Sequence, residues 1–358
     1  MLCKKNVILK SVLFFIVVSA FNFSCGRKDK IETVERAFYH WKNSSIELST
    51  AKHLKKLNVH KLYIRLFEVD YNEARGNFPY NKNKPHSYSF RELDSVKLIP
   101  TIFIRNSIFQ YNTEKSLDRL ADNIVFLIHK YSSELRYDNS TEKIFDYDEI
   151  QIDCDWTGAT KEKYFYLLKK IKELSRKEIS CTLRLYPYKY PDIMGVPPVD
   201  RATLMCYNLI KPLSQKNKNS ILDISELKKY LSEKKSYPIH LDIALPTFYW
   251  TQHYQNNHFV QLVDLCTNDV KSFSRLVSPL WYEVERDTSI NYETYLKAGD
   301  RLKCEDVSAN TINEAIEIIK QTVELDKNTT ISLFDLDNST FNQYSDEEIS
   351  GFYSNFTR

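Results

Sequence analysis

Glycine is scarce, with six in 358 residues. Loops that cradle phosphate depend on glycine, and no G-x-G-x-x-G or G-x-x-x-x-G-K-[ST] run occurs. Nucleotide binding through such loops is therefore not indicated. No G-x-S-x-G or comparable local nucleophile motif is present either. Charge of one sign is also lacking. Lys and Arg total 50 against 47 Asp and Glu, and the first 24 residues hold Lys4, Lys5 and Lys10 with no acid. Without that segment the count is 47 against 47, which leaves no electrostatic footprint for nucleic acid. No C-x-x-C spacing occurs, and Cys154, Cys181, Cys206, Cys266 and Cys304 are odd in number, so neither a disulfide framework nor a zinc site is implied. Cys154, Cys181 and Cys206 lie in apolar runs and read as small buried thiols. Long apolar runs are missing beyond residue 23. What the chain does have is aromatic side chains: 24 Tyr, 20 Phe and 4 Trp, in an otherwise ordinary globular composition.

The one apolar run, residues 11–23, is about 13 residues long, whereas roughly 20 are needed to span a bilayer. It follows a lysine-bearing start, the pattern of a secretory signal. Ser24 directly before Cys25 resembles a bacterial lipoprotein processing site. The expectation is a signal peptide over 1–24, a lipidated Cys25 opening a polar linker over 25–33, and an exported protein anchored in the envelope, in the outer membrane. An ordinary cleaved signal with an incidental Cys25 is the alternative.

From residue 34 to 358, strand-like runs alternate with amphipathic helices. Runs at 37–41, 61–69, 97–104, 149–155, 179–186, 203–208, 239–246 and 330–336 are rich in Ile, Leu, Val, Tyr and Phe and bounded by polar, Pro or Asn residues. Between them, apolar residues recur at three and four over 117–131, 165–174 and 312–323, the last opening on a Thr311/Glu314 capping-box pair. Shorter helices are expected at 48–57 and 224–232. Eight such units predict a parallel sheet closed into a (β/α)8 barrel, with an open doubly wound sheet as the alternative. The stretch over about 250–310 is too long for one connection. It reads as an insertion on the barrel rim, between the seventh and eighth strands, with a helical piece at 258–270 and an extended piece at 275–285.

Barrel chemistry sits at the C-terminal strand ends. The fourth run reads Asp148-Glu-Ile-Gln151-Ile-Asp153-Cys-Asp155-Trp156. Alternation turns Gln151, Asp153 and Asp155 into the lumen, the two carboxylates about 6–7 Å apart along the strand and nearest the mouth. Like charges in a low-dielectric pocket raise one pKa and create a proton donor near neutral pH. A hydrogen-bonded polar layer capping the barrel is the competing reading. His240 and Asp242 share a face low in the barrel and read as a buried hydrogen-bonded pair. No further His or acid stands at ligand spacing around Asp153 and Asp155, so no metal or other cofactor is expected.

These residues resemble family 18 glycoside hydrolases, the chitinase and endo-N-acetylglucosaminidase group. That family's fourth strand carries D-x-x-D-x-D-x-E, where this chain has Asp148–Asp155. Its sixth strand ends M-x-Y-D, where this chain has Met205-Cys-Tyr207-Asn208. Its seventh has a Leu-Pro turn with aromatics, here Leu245-Pro246-Thr-Phe248-Tyr249-Trp250. The similarity spans roughly residues 35–340, and the chain resembles a divergent bacterial branch of that group. It implies a substrate-assisted mechanism, in which an acid protonates the glycosidic oxygen and the sugar's own N-acetyl carbonyl attacks. By position, the resemblance makes Asp155 the acid, Asp153 the stabiliser of the acetamido group, Tyr207 its hydrogen-bond donor and Asn208 a supporting contact. Gln151 replaces the innermost Asp. Asp155 is one methylene shorter than Glu, setting its proton roughly 1.5 Å further back. The family's third-strand S-x-G-G is absent, and no floor Trp is evident in Ser332-Leu-Phe334-Asp335-Leu-Asp337.

Glu68 and Asp70 on the second strand, and Asp335 and Asp337 on the eighth, are reserve acids. Trp156, Tyr186, Trp250 and Trp281 are candidate platforms for the apolar face of a pyranose, though any one Trp packs into a core as readily. Arg184 would pair with the carboxylates or meet an anionic sugar. Two functions follow. One is a glycoside hydrolase acting on an N-acetylhexosamine-containing glycan at the envelope. The other is a glycan-binding lipoprotein on the same barrel that has lost the catalytic step. In both, the partners are a glycan and a membrane reached through Cys25, and nucleic acid is excluded.

Overall fold

The computed structural model describes residues 31–43, 45–83, 93, 95–134, 147–290 and 294–357. The expected signal segment and Cys25 lie outside the described residues. Eight parallel strands close into a barrel: β1 (Thr33–His40), β2 (Lys61–Asn72), β3 (Lys97–Ile104), β4 (Glu149–Asp153), β5 (Glu178–Arg184), β6 (Arg201–Met205), β7 (His240–Pro246) and β8 (Asn328–Phe334). Each pairs with its sequence neighbour, and β8 pairs with β1, so the ring has no free edge. The outer faces carry the apolar residues that the helices cover. Ile150, Ile152 and Cys154 on and just beyond β4 are sealed from solvent. The helix Lys161–Ser175 buries Tyr164, Leu167, Leu168 and Ile171, the stripe that 3.6-residue periodicity predicts.

β2 runs past the barrel rim and folds back antiparallel through Gly76–Tyr80, an excursion the strand pattern does not announce. Its register with β3 slips between Arg65 and Phe67. This bulge breaks the alternation, so Arg65 and Glu68, three apart, meet on one side.

Helix ends follow local chemistry, with one correction. The helix Ala309–Thr322 is capped by Ser308, whose hydroxyl accepts from the Thr311 N–H, so the start lies three residues before the expected Thr311/Glu314 pair. The final helix, Asp346–Ser354, opens with a Ser345/Glu348 capping box and was not expected. It packs on β1, and Tyr353 donates its hydroxyl to the Ala37 carbonyl at 2.8 Å.

The segment after β7 also differs from expectation. The helix expected over 258–270 is instead a strand, His258–Val263, followed by the short helix Thr267–Lys271. The strand hairpins onto Trp250–Gln255 through Asn256 and Asn257, both at positive φ (49° and 63°). Two asparagines that tolerate the left-handed region make a two-residue hairpin turn, and that signal outranks the apolar spacing. The extended piece at 275–285 is two strands, Ser274–Ser278 and Trp281–Val284. With Arg301–Glu305 they complete a five-stranded antiparallel sheet. Its face is closed by Val263, Val270, Phe273, Val284, Leu296 and Leu302, a cluster apart from the barrel core.

Candidate active site

Three side chains climb the lumen from β4, each met by its counterpart on β5. Gln151 is fully buried and donates to Ser180 Oγ at 3.3 Å and Thr203 Oγ1 at 3.2 Å. Above it, Asp153 is 8% exposed and accepts from Thr182 Oγ1 at 2.5 Å. Above that, past the strand's end, Asp155 receives Arg184 in a two-pronged contact: Nε to Oδ1 at 2.6 Å and Nη2 to Oδ2 at 3.0 Å. The parallel register that aligns Gln151 with Ser180 carries the matching upward, two residues at a time.

The two carboxyls have opposite surroundings. Burial pushes Asp153 up to about 6, the neighbouring Asp155 charge adds to the rise, and the Thr182 bond and Arg184 oppose it. Asp155, half exposed, has both oxygens engaged by a fork whose planar geometry matches a carboxylate. Burial works against the Arg184 charge, but the Asp155 bonds outweigh it and hold its pKa above the usual value.

Tyr207 and Asn208 follow the end of β6. Tyr207 is buried, and its ring stacks on Phe334 with centroids 5.1 Å apart. Burial holds its hydroxyl well above the ordinary phenol range, helped by the Tyr39, Asp153 and Asp335 charges. Asn208 adopts φ 52°, turning the chain off the strand, and its N–H bonds Ile221 O at 2.7 Å.

Phe334 is the centre of an aromatic bowl that sequence reading missed. Tyr39 and Trp41 each lie 5.7 Å from its ring and Phe248 lies 5.5 Å away. Trp250 continues the bowl from Phe248 at 5.4 Å. Where no floor Trp is evident in the eighth strand's sequence, a phenylalanine stands. The available signal was positional: each of these rings lies within a few residues of the C-terminal end of a barrel strand.

The reserve acids are distributed around the mouth. Glu68 is held by Arg65 and Asn81. Asp70 faces Arg105 at 3.2 Å. Asp337 is paired with Lys42. Burial pushes Asp335 up to about 6, with Lys42 opposing and the Asp337 charge adding to the rise.

The candidate platforms separate. Trp156 is 4% exposed, its ring packed against Tyr164 at 5.2 Å and its indole donated to Met194 O. It forms wall, not an open platform. Trp281 lies on the antiparallel sheet, packed 5.1 Å from Tyr254 and donating to Lys216 O, away from the cleft lining. Tyr186 belongs to a helical turn, Leu185–Lys189, because β5 ends at Arg184, and it stands exposed on the rim. Trp250 lines the cleft, with its indole N–H held by Glu305.

Asp155, Arg184, Tyr186, Tyr207, Asn208 and Trp250 share one cleft of about 780 Å³ at the C-terminal mouth of the barrel. Asp153 lies beneath it. Among the described residues, no group of three or more His, Cys, Asp or Glu is arranged to hold a metal ion. At the opposite end of the barrel, His240 Nε2 meets Asp242 Oδ1 at 3.1 Å, and Asp242 also accepts the Thr330 N–H, a structural pair as expected.

No protein-family model matches the sequence, and no curated protein matches it. Solved structures do share its fold. The spore cortex-lytic enzyme SleL of Bacillus cereus is 14% identical, with a TM-score of 0.53 over 91% of this chain and 74% of that one. A chitinase from Bacteroides thetaiotaomicron is 11% identical, with a TM-score of 0.50 over 90% of this chain and 97% of that one. At these identities the likeness establishes the (β/α)8 barrel fold.

Proposed function

We propose that the chain is a glycoside hydrolase acting on an N-acetylhexosamine-containing glycan at the cell envelope, in the manner of the family 18 group, and that Cys25 carries the lipid anchoring it there. The observation that supports this is the pair of carboxyls on β4 in opposite environments. A buried acid near 6 beside a carboxylate clamped by arginine is the arrangement that separates proton donor from anion at mildly acidic pH, up to about 6. The proton then belongs to Asp153, and Asp155 with Arg184 supplies the fixed charge, the reverse of the assignment by sequence position. Tyr207 and Trp250 line the same cleft and would meet the acetamido group and the sugar ring.

Binding without cleavage is the second reading, and one observation favours it. Both Asp155 oxygens accept from Arg184, and Asp153 sits under the cleft, so neither acid is free to reach a glycosidic oxygen in this state. A screen against chitooligosaccharides, peptidoglycan fragments and N-glycans, read by product release and by calorimetry, separates the two. For the hydrolase, Asp153→Asn is expected to cut turnover by roughly 10²–10⁴, the usual worth of a positioned acid. Turnover untouched by Asp153→Asn and by Asp155→Asn would remove the assignment. Tight binding with no product would make the protein a glycan receptor.

A further inference from the structure

The polar end of the cleft is Asp155, Arg184, Tyr207 and Asn208, and most of the remaining lining is an apolar wall of Leu185, Ile193, Met194, Met205, Leu209 and Ile210, with Lys211 and Thr157 among the polar exceptions. A sugar presents a hydroxyl on nearly every carbon, and each one taken from water without a partner is costly. A second sugar would find few partners along that wall. The rim continues the same chemistry into solvent. Of the lining residues, Ile193 is 56% exposed and Tyr186 46%, and Tyr190 lies against Tyr186 with ring centroids 4.9 Å apart. Exposed apolar side chains at the lip of a cleft mark a contact surface.

The wall is held from behind. Trp156 donates to Met194 O and Lys161 Nζ to Ile193 O, each at 3.1 Å. Gly195 turns the chain at φ 75°, and a Cβ there would come within 2.7 Å of the Phe165 ring. The short helix Pro191–Met194 is thus fixed with its apolar side chains toward the cleft before any ligand arrives.

We infer that this arm takes the aliphatic aglycone of an amphiphilic glycoside, an alkyl or acyl chain attached to the sugar held at the polar end. The inference rests on the reading of the polar end as a sugar site. It adds the substrate class: a glycolipid-like molecule, with its head over Tyr207 and its chain along Met194 and Leu209.

The test titrates the intact protein with octyl and methyl β-N-acetylglucosaminides below the micelle concentration, by calorimetry. Each buried methylene is worth about fourfold in affinity, so the octyl compound is expected to bind more than about 100-fold tighter. Ile193→Asp, at an exposed position outside the polar end, is expected to weaken octyl binding about tenfold and leave methyl binding unchanged. Equal affinity for the two glycosides, or no octyl binding at millimolar concentration, overturns the inference. So does an Ile193→Asp variant that loses both ligands alike. Octanol binding as tightly as the octyl glycoside removes the sugar from the site. A phenyl glycoside binding tighter than the octyl one assigns the arm to an aromatic group instead. An octyl glycoside that binds and is not hydrolysed removes the hydrolase reading and leaves this inference standing. Hydrolysis of chitooligosaccharides without any gain from the octyl chain does the opposite.

Discussion

Arg184 grips Asp155 with both prongs of its guanidinium, at 2.6 and 3.0 Å, at the one point where β4 and β5 leave the barrel wall. The pair separates a half-exposed anion from the buried Asp153 just below. Arg184 therefore acts on both carboxyls, binding the upper one and lowering the proton affinity of the lower.

That dual position predicts opposite shifts from two substitutions. Arg184→Gln removes a positive charge that opposes the rise of Asp153, so the Asp153 titration is expected to move above about 6. Asp155→Asn removes the like charge that contributes to the rise, so the titration is expected to move below it. Carboxyl-resolved NMR titration reads both, and so does the acidic limb of a pH–rate profile. Shifts of the same sign would show that Arg184 and Asp155 do not set the Asp153 proton.

Asp153 also makes stability depend on pH. Its folded pKa of about 6 lies above the unfolded value of about 4. The folded chain therefore holds the proton more tightly. That contribution is fully present below pH 4, is lost as pH rises through 6, and by pH 7 the buried charge costs on the order of 3 kcal/mol. Asp153→Asn keeps an oxygen for Thr182 and carries no charge. Its stability relative to wild type is expected to rise between pH 4.5 and 7.5, measured by urea unfolding at both. An identical difference at the two pH values would contradict the buried-acid picture.

Glu305 should matter more to stability than its distance from β4 and β5 implies. It is fully buried and accepts from Trp250 Nε1, Gln252, Ser220 and Lys303, the last at 2.6 Å. Lys303, 1% exposed, also donates to the carbonyls of Gln215 and Lys218, tying the loop after β6 to the antiparallel sheet. Glu305→Ala leaves that buried ammonium without its counter-charge, and is expected to cost about 3–5 kcal/mol. It should also loosen Trp250, visible as a change in tryptophan emission. A loss below about 1 kcal/mol in urea unfolding would show that the network relaxes around water.

The anchor is tested on the chain carrying residues 1–358 in a bacterial host. Metabolic labelling with a clickable fatty acid should mark the wild type and not Cys25→Ala, and the variant should leave the membrane fraction. Equal labelling of the two would remove Cys25 as the lipid site.

Much of the architecture was present in local spacing. Eight apolar runs separated by helical periods specify βα units, and the alternation of Gln151, Asp153 and Asp155 follows from the two-residue period of a strand whatever surrounds it. Other features depend on which strands lie side by side. Arg184 meets Asp155 across 29 positions of sequence, and Phe334 meets Tyr39 only because the ring closes on β1. The bulge at Arg65 and Phe67 broke the period that would have placed Glu68, and the Asn256–Asn257 turn converted an expected helix into a hairpin. Trp156 and Trp281 look alike in sequence to Trp250, yet only Trp250 gives the cleft part of a ring not sealed in the core.

The sequence by itself determined the repeat, the strand count and the facing of the β4 carboxyls, because periodicity is a property of a few consecutive dihedral angles. Only the tertiary structure decided which acid is buried, which is clamped, and which aromatic rings share the mouth. Those depend on desolvation and on neighbours supplied by other strands, and neither is encoded in any short stretch of chain.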